Sequence, residues 1–154
     1  MGVEIERRFL LRGEGWQTLA DAGTPMRQGY LSLDPERTVR VRIAGERAFL
    51  TVKGRSHGAR RAEFEWEIPR DEACTLLDTL CVAGIDKTRF VARVGAHDFE
   101  IDVFAGRNAG LSLVEIELSH EDEPFPRPEW LGDEVTHDHR YSNSILAQRP
   151  WPEL

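Results

Sequence analysis

Residues 3–9 read Val3-Glu4-Ile5-Glu6-Arg7-Arg8-Phe9, an apolar and charged alternation with a period of two. That period places successive side chains on opposite faces of an extended strand, one apolar and one charged. The same pattern recurs along the chain. It predicts strands at Val3–Arg12, Met26–Leu33, Arg37–Ala44, Arg47–Lys53, Ala62–Ile68, Thr88–Val94, His97–Phe104 and Leu111–Leu118. Turn-forming residues separate them, among them Asp34-Pro35, Ala44-Gly45-Glu46, the 54–58 loop, Gly95-Ala96 and the 106–110 segment. Short hairpin links make neighbouring strands antiparallel, and eight strands suffice to close a barrel. The fold class expected is α+β, mainly β, an eight-stranded antiparallel closed β-barrel with a few flanking helices.

Helical spacing is confined to short stretches. Residues 16–22 form a connector, and residues 71–82 place Ala73, Leu76, Leu77 and Leu80 on one helical face. Residues 128–131 make one turn, and 142–148 a terminal helix capped by Ser142. Cys74 and Cys81 fall two turns apart on one face of the second helix, too distant for a disulfide, and read as buried apolar residues.

With 154 residues, 40% of them hydrophobic, the chain is read as a single globular domain, 1–154. A net charge of −7 argues against a nucleic-acid partner, which requires a basic face. No stretch approaches the roughly 18 apolar residues of a membrane span, and no leader is recognised. The expectation is a cytoplasmic protein with no membrane partner.

The apolar strand face is ordinary; the other is sorted by sign. It carries Glu4, Glu6 and Arg8, then Arg40 and Arg42, Lys53, Glu63, Glu65 and Glu67, Lys87, Arg89 and Arg93, Glu100 and Asp102, and Glu115 and Glu117. Like charges two residues apart on a strand lie about 7 Å from each other and repel. Such a face is stable when cations and a polyanion fill it. Carboxylate pairs suit a hard divalent cation such as Mg²⁺, and Arg and Lys suit phosphate oxygens. The alternative is a solvated outer face, salt-bridged across strands, around an apolar barrel core. An inward charged face would leave the apolar face needing cover that the few helices cannot provide alone, and dimerisation could supply it. Periodicity does not choose between them.

The opening motif resembles the Glu-x-Glu-x-Lys signature of the CYTH superfamily, the triphosphate tunnel metalloenzymes. So do Arg27-Gln28-Gly29-Tyr30-Leu31, Arg40-x-Arg42, Leu50-Thr51-Val52-Lys53 and Glu63-x-Glu65. Asp86-Lys87-Thr88-Arg89-Phe90, Glu100-x-Asp102-Val103-Phe104 and Leu113-Val114-Glu115-Ile116-Glu117 follow in order. The end, Glu134-Val135-Thr136 with Asp138, Arg140-Tyr141 and Asn143, is similar to the short bacterial members. The resemblance spans nearly the whole chain and implies that the barrel is a triphosphate tunnel with the charged face inward. One departure is Arg8, where the signature has lysine.

From this resemblance the expected reaction is metal-dependent hydrolysis of tripolyphosphate to pyrophosphate and phosphate, with Mg²⁺ or Mn²⁺ as cofactor. A small-molecule polyphosphate is the expected partner, and the protein is a monomer or homodimer. Metal ligands are expected at Glu4, Glu6, Glu115, Glu117 and Asp102, with Glu63 and Glu65 holding a second ion or orienting basic groups. Arg8, Arg40, Arg42, Lys53, Lys87, Arg89 and Arg140 would contact phosphate, and Tyr30, Lys53 and Lys87 are the catalytic candidates. Tyr30 shares a strand face with Gln28 and Ser32; the resemblance makes it a candidate proton acceptor, and a hydroxyl that only hydrogen-bonds is the alternative. His137 and His139 read as surface residues, since no third zinc ligand is in sight. Rival readings are a class IV adenylate cyclase, for which no His-Phe dipeptide is found, a thiamine or nucleoside triphosphatase, and a non-catalytic polyphosphate or nucleotide binder.

Overall fold

The computed structural model describes residues 2–151. Alternation produces β1 (Gly2–Leu11), β2 (Thr24–Ser32), β3 (Thr38–Ala44), β4 (Arg47–Lys53) and β5 (Arg60–Ile68). After α1 (Arg70–Thr79) come β6 (Ala83–Val94), β7 (His97–Phe104), β8 (Ser112–Glu117), β9 (Leu131–Glu134) and α2 (Asn143–Gln148). The strands pair antiparallel in the order β5-β4-β3-β2-β6-β7-β8-β1, and pairing of β1 with β5 closes the ring. Eight strands form the barrel, as alternation and hairpin spacing predict.

The closure is uneven. On one side β1 pairs with β8 from Glu6 to Leu10. On the other it pairs with β5 only from Gly2 to Ile5, and then with β9 from Phe9 to Leu11. Where the partner changes, Glu6 N donates to Ala59 O and Arg8 N donates to Thr136 Oγ1, so two loops replace the missing ladder. The sequence reading missed β9. Its Leu131-Gly132-Asp133-Glu134 shows no alternation and is a strand because β1 offers it an unpaired edge.

The apolar face points outward and is covered in patches. Ile5, Phe9, Phe99, Ile101, Val114 and Ile116 are buried beneath Trp16, Phe125, Trp130 and Leu131, which lie on the two connecting segments that wrap the barrel. Val41, Ile43 and Ala48 lie under α1 through Ala73 and its neighbours. Inside, one end of the barrel turns apolar. Ile85, Phe104 and Leu113 share the strand faces of Lys87, Asp102 and Glu115, two residues further along, and pack with Leu146 and Ala147 of α2. A side chain of α2 that is fully buried here, Leu146, seals that end. Over the start of β1 and over β5 the outer face is left open by the described residues: Val3, Phe64 and Trp66 are exposed.

The end of α1 and the start of β6 differ from expectation, β6 beginning at Ala83 rather than at Thr88. Helix α1 ends at Thr79 rather than at 82, because Val82 N donates to Tyr30 O and draws the chain into β6 beside β2. Cys81 therefore lies outside the helix. Both cysteines are free, and each is half-buried against the core below α1 rather than fully buried. The cap assigned to Ser142 is present, its Oγ accepting from Ile145 N. No described helix is long and apolar enough to cross a membrane.

Candidate functional site

The inward face lines a cavity of about 350 Å³. Adjacent strands carry its acidic wall: Glu6 sits on β1, Glu115 on β8 and Glu100 on β7, with Glu100 and Glu115 directly paired across the ladder. One carboxylate oxygen from each of Glu6, Glu100 and Glu115 lies within 4.8 Å of the others. Burial, together with Glu115 and Glu4, pushes the Glu6 carboxyl well above its ordinary range. Burial and the neighbouring carboxylates likewise raise Glu100, although Arg89 opposes them. Burial resists ionisation of Glu115 too, but Arg8, Arg89 and Lys87 outweigh it and hold that carboxyl well below the usual value. The three carboxyls are thus unequal in acidity, Glu6 well above and Glu115 well below the ordinary range. Three hard oxygen donors that repel one another suit a divalent cation, which would relieve the repulsion.

Glu4 is engaged differently. It accepts from Lys53 Nζ at 3.0 and 3.1 Å, and Glu63 lies 3.5 Å from the same ammonium. Burial raises the Glu4 carboxyl despite Lys53. Glu65 accepts from Thr51 and pairs with Arg40 at 3.6 Å. Glu117 lines the cavity but is exposed and stands outside the three-carboxylate group. Asp102 is buried with both oxygens occupied, by Lys87 at 2.7 Å and by Arg89 at 2.8 and 2.9 Å. Those cations overcome burial and lower its carboxyl to about 2. Its geometry is that of an anchor for basic side chains, and Glu100 stands where Asp102 was expected.

The basic side chains are unevenly compensated. Arg8 grips Glu115 through Nε at 3.0 Å and a terminal nitrogen at 2.9 Å, a two-pronged contact that a lysine could not make. Arg89 is held by Asp102, Glu100 and Glu115. Burial, reinforced by Arg89 and Arg42, lowers Lys87 to about 7 in spite of Asp102. Arg42 donates only to the Gln28 side-chain oxygen, and burial beside Arg40 and Arg89 lowers it to about 9. Among the described residues, Arg42 forms no ion pair and Arg40 Nε has no hydrogen-bond partner. Such groups are costly unless an anion reaches them.

Not every expected residue is here. Arg140 is exposed and bound to Asp138 on the surface, away from the cavity lining. Glu67 and Arg93, on the inward strand parity, also pair outside the cavity, with Arg47 and Asp98. Conversely Arg61, Gln28, Thr51 and Asn143 contribute without having been assigned. Arg61 was legible, since it shares the strand face of Glu63 and Glu65; its guanidinium donates to Gly54 O. Tyr30 is buried and lines the cavity, its hydroxyl 3.5 Å from the Gln28 amide nitrogen. His137 and His139 are exposed as expected, yet they form part of the rim with Ser56 and Gly58.

A model of the CYTH domain matches residues 2–145. An inorganic triphosphatase of Acetivibrio thermocellus is 43% identical over 152 residues, covering 98% of this chain and 97% of that protein. An inorganic triphosphatase of Nitrosomonas europaea is 37% identical over 152 residues, covering 94% and 97%. The crystal structure of an inorganic triphosphatase superimposes with a TM-score of 0.65 at 36% identity, over 93% of this chain and 96% of that one.

Proposed function

The chain belongs to the CYTH domain family, and on that premise we propose that it hydrolyses inorganic triphosphate to pyrophosphate and phosphate inside the barrel. One observation carries the reading. A three-carboxylate group faces, across one cavity, Arg42, which forms no ion pair among the described residues, and Arg40, whose Nε has no hydrogen-bond partner there. That pairing fits a polyphosphate with its divalent cation and fits no neutral ligand.

Glu6, Glu100 and Glu115 would hold the cation, with Mg²⁺ or Mn²⁺ as the proposed ion. When bound it supplies charge neutralisation on the phosphate oxygens. The other steps belong to the chain. Arg40, Arg42 and Arg61, with Lys53, Lys87 and Arg89, bind and align the phosphates; Arg8 does so while fixing Glu115. Asp102 holds Lys87 and Arg89 in place. Glu4 and Glu63 orient Lys53. Water attacks a terminal phosphorus, the bridging P–O bond breaks and pyrophosphate leaves, with the basic groups stabilising its developing charge. The Tyr30 hydroxyl is placed to hydrogen-bond the reacting water or a phosphate oxygen. The reading takes the protein to act on a small polyphosphate in the cytoplasm.

Incubation with tripolyphosphate, ATP, thiamine triphosphate and pyrophosphate, each with Mg²⁺ or Mn²⁺, tests it. Phosphate and pyrophosphate released from tripolyphosphate is the expected result. Intact tripolyphosphate together with cyclic AMP from ATP overturns it in favour of a cyclase.

A further inference from the structure

The cations of the cavity are held in two chemically different ways. Lys53, Arg8 and Arg89 lie against carboxylates, so much of their charge is already matched. Arg42 forms no ion pair among the described residues; it is joined by a chain of two amides to Lys87, which is buried behind the cavity lining and also donates to Asp102 at 2.7 Å. Arg42 Nε donates to Gln28 Oε1 at 2.9 Å, Gln28 Nε2 donates to Asn143 Oδ1 at 3.2 Å, and Lys87 Nζ donates to that same oxygen at 2.9 Å. Arginine and lysine only donate, so the orientation of both amides is forced from the two ends of the chain. Gln28 is 1% exposed, in the wall of the barrel. Asn143 is the first residue of α2, so the element that seals the barrel also touches the binding groups.

We propose that Gln28 and Asn143 are positioning residues, which hold Arg42 with a neutral oxygen so that its charge stays free for the polyphosphate, and tie it to Lys87 without adding a second carboxylate beside that ammonium. This rests on the reading of the cavity as a triphosphate site. A carboxylate would orient the same groups at least as firmly, since charge-assisted hydrogen bonds are the stronger ones. It would also cancel the charge that attracts substrate. Only Lys87 has a carboxylate contact, and it shares Asp102 with Arg89. The amides thus separate two requirements, geometry and net charge, that an acidic residue would set against each other.

Asn143→Asp and Gln28→Glu replace an amide by an acid of the same shape and form the test. Asn143→Asp should melt no lower than wild type, because the acceptor remains and gains charge, whereas Gln28→Glu also loses the Nε2 donor to Asn143 and should melt lower. Their KM for tripolyphosphate should rise about tenfold or more, with the loss in KM exceeding that in kcat. Calorimetric titration of tripolyphosphate into the metal-free proteins should show the same weakening. Asn143→Ser, which retains a neutral oxygen and loses shape, should raise KM less than Asn143→Asp. An unmoved KM in Asn143→Asp, or a larger rise in Asn143→Ser, overturns the inference, because contact and not charge would then be what matters. A wild-type protein that neither binds nor hydrolyses tripolyphosphate overturns the underlying reading instead. If Gln28→Glu fails to fold, Asn143→Asp at the start of α2 decides alone.

Discussion

In the proposed cation site a proton and a divalent cation would compete for the Glu6 carboxyl. Burial and the adjacent Glu115 and Glu4 raise its pKa above the ordinary 4.5, so the metal-free folded protein keeps a proton that the unfolded chain releases. Folded protein that binds more protons than unfolded loses stability as pH rises through that window, and a bound cation removes the loss by displacing the proton. Mg²⁺ or Mn²⁺ should therefore raise the melting temperature more at about pH 8 than at about pH 5. In Glu6→Gln this difference should largely vanish while the protein stays folded. Equal shifts at both pH values, read by scanning calorimetry, would remove Glu6 from the cation site. The residue types needed for this chemistry were legible in the sequence, but their assignment was not. Glu100 and Asp102 are equivalent by parity, and only the neighbours decide that Asp102 is consumed by Lys87 and Arg89. Arg140 is a like case, since here it pairs on the surface with Asp138, two residues earlier.

Apart from β6, which starts five residues earlier than expected, the strands were read nearly to their ends because alternation is local, whereas elements defined by a partner were not. Strand β9 exists through the free edge of β1, and Gly132 lets it approach: a Cβ there would lie 2.7 Å from Leu10 O. The seating of α1 depends on a second glycine. A Cβ on Gly29 would stand 2.8 Å from Leu77 Cδ2 and 2.9 Å from Cys81 Cβ. Gly29→Ala must push α1 and the Cys81 turn outward, at a cost of about 1–3 kcal/mol. Urea unfolding measures it; a change below about 0.5 kcal/mol would mean that α1 shifts freely. The terminal helix was legible from Ser142 and its apolar spacing. That it seals the barrel was not, because Leu146 meets Ile85, Phe104 and Leu113 only after β6, β7 and β8 have paired.

On the scale of the whole barrel, the outer apolar face is covered where the wrapping segments and α1 reach it and, among the described residues, open over β5 and the start of β1. Phe99 is fully buried and Trp66 is 53% exposed, although alternation gives them the same standing. Phe99→Ala should cost about 3–5 kcal/mol, and Trp66→Ser less than about 1 kcal/mol. Denaturant melts of the two variants would expose an error in this inside-outside assignment if the order were reversed. What the sequence alone determined is the set of strands and their two faces, one apolar and one charged and sorted by sign, since a period of two is a property of the backbone itself. The motif order added an expectation of what the charged face is for. Tertiary structure decided the rest. Closure of the sheet put the charged face inside, where burial raises the Glu6 carboxyl above its ordinary range and, among the described residues, Arg42 forms no ion pair. It also chose, among side chains of equal parity, which ones meet. Burial and proximity depend on residues far apart in the chain, and no local period encodes them.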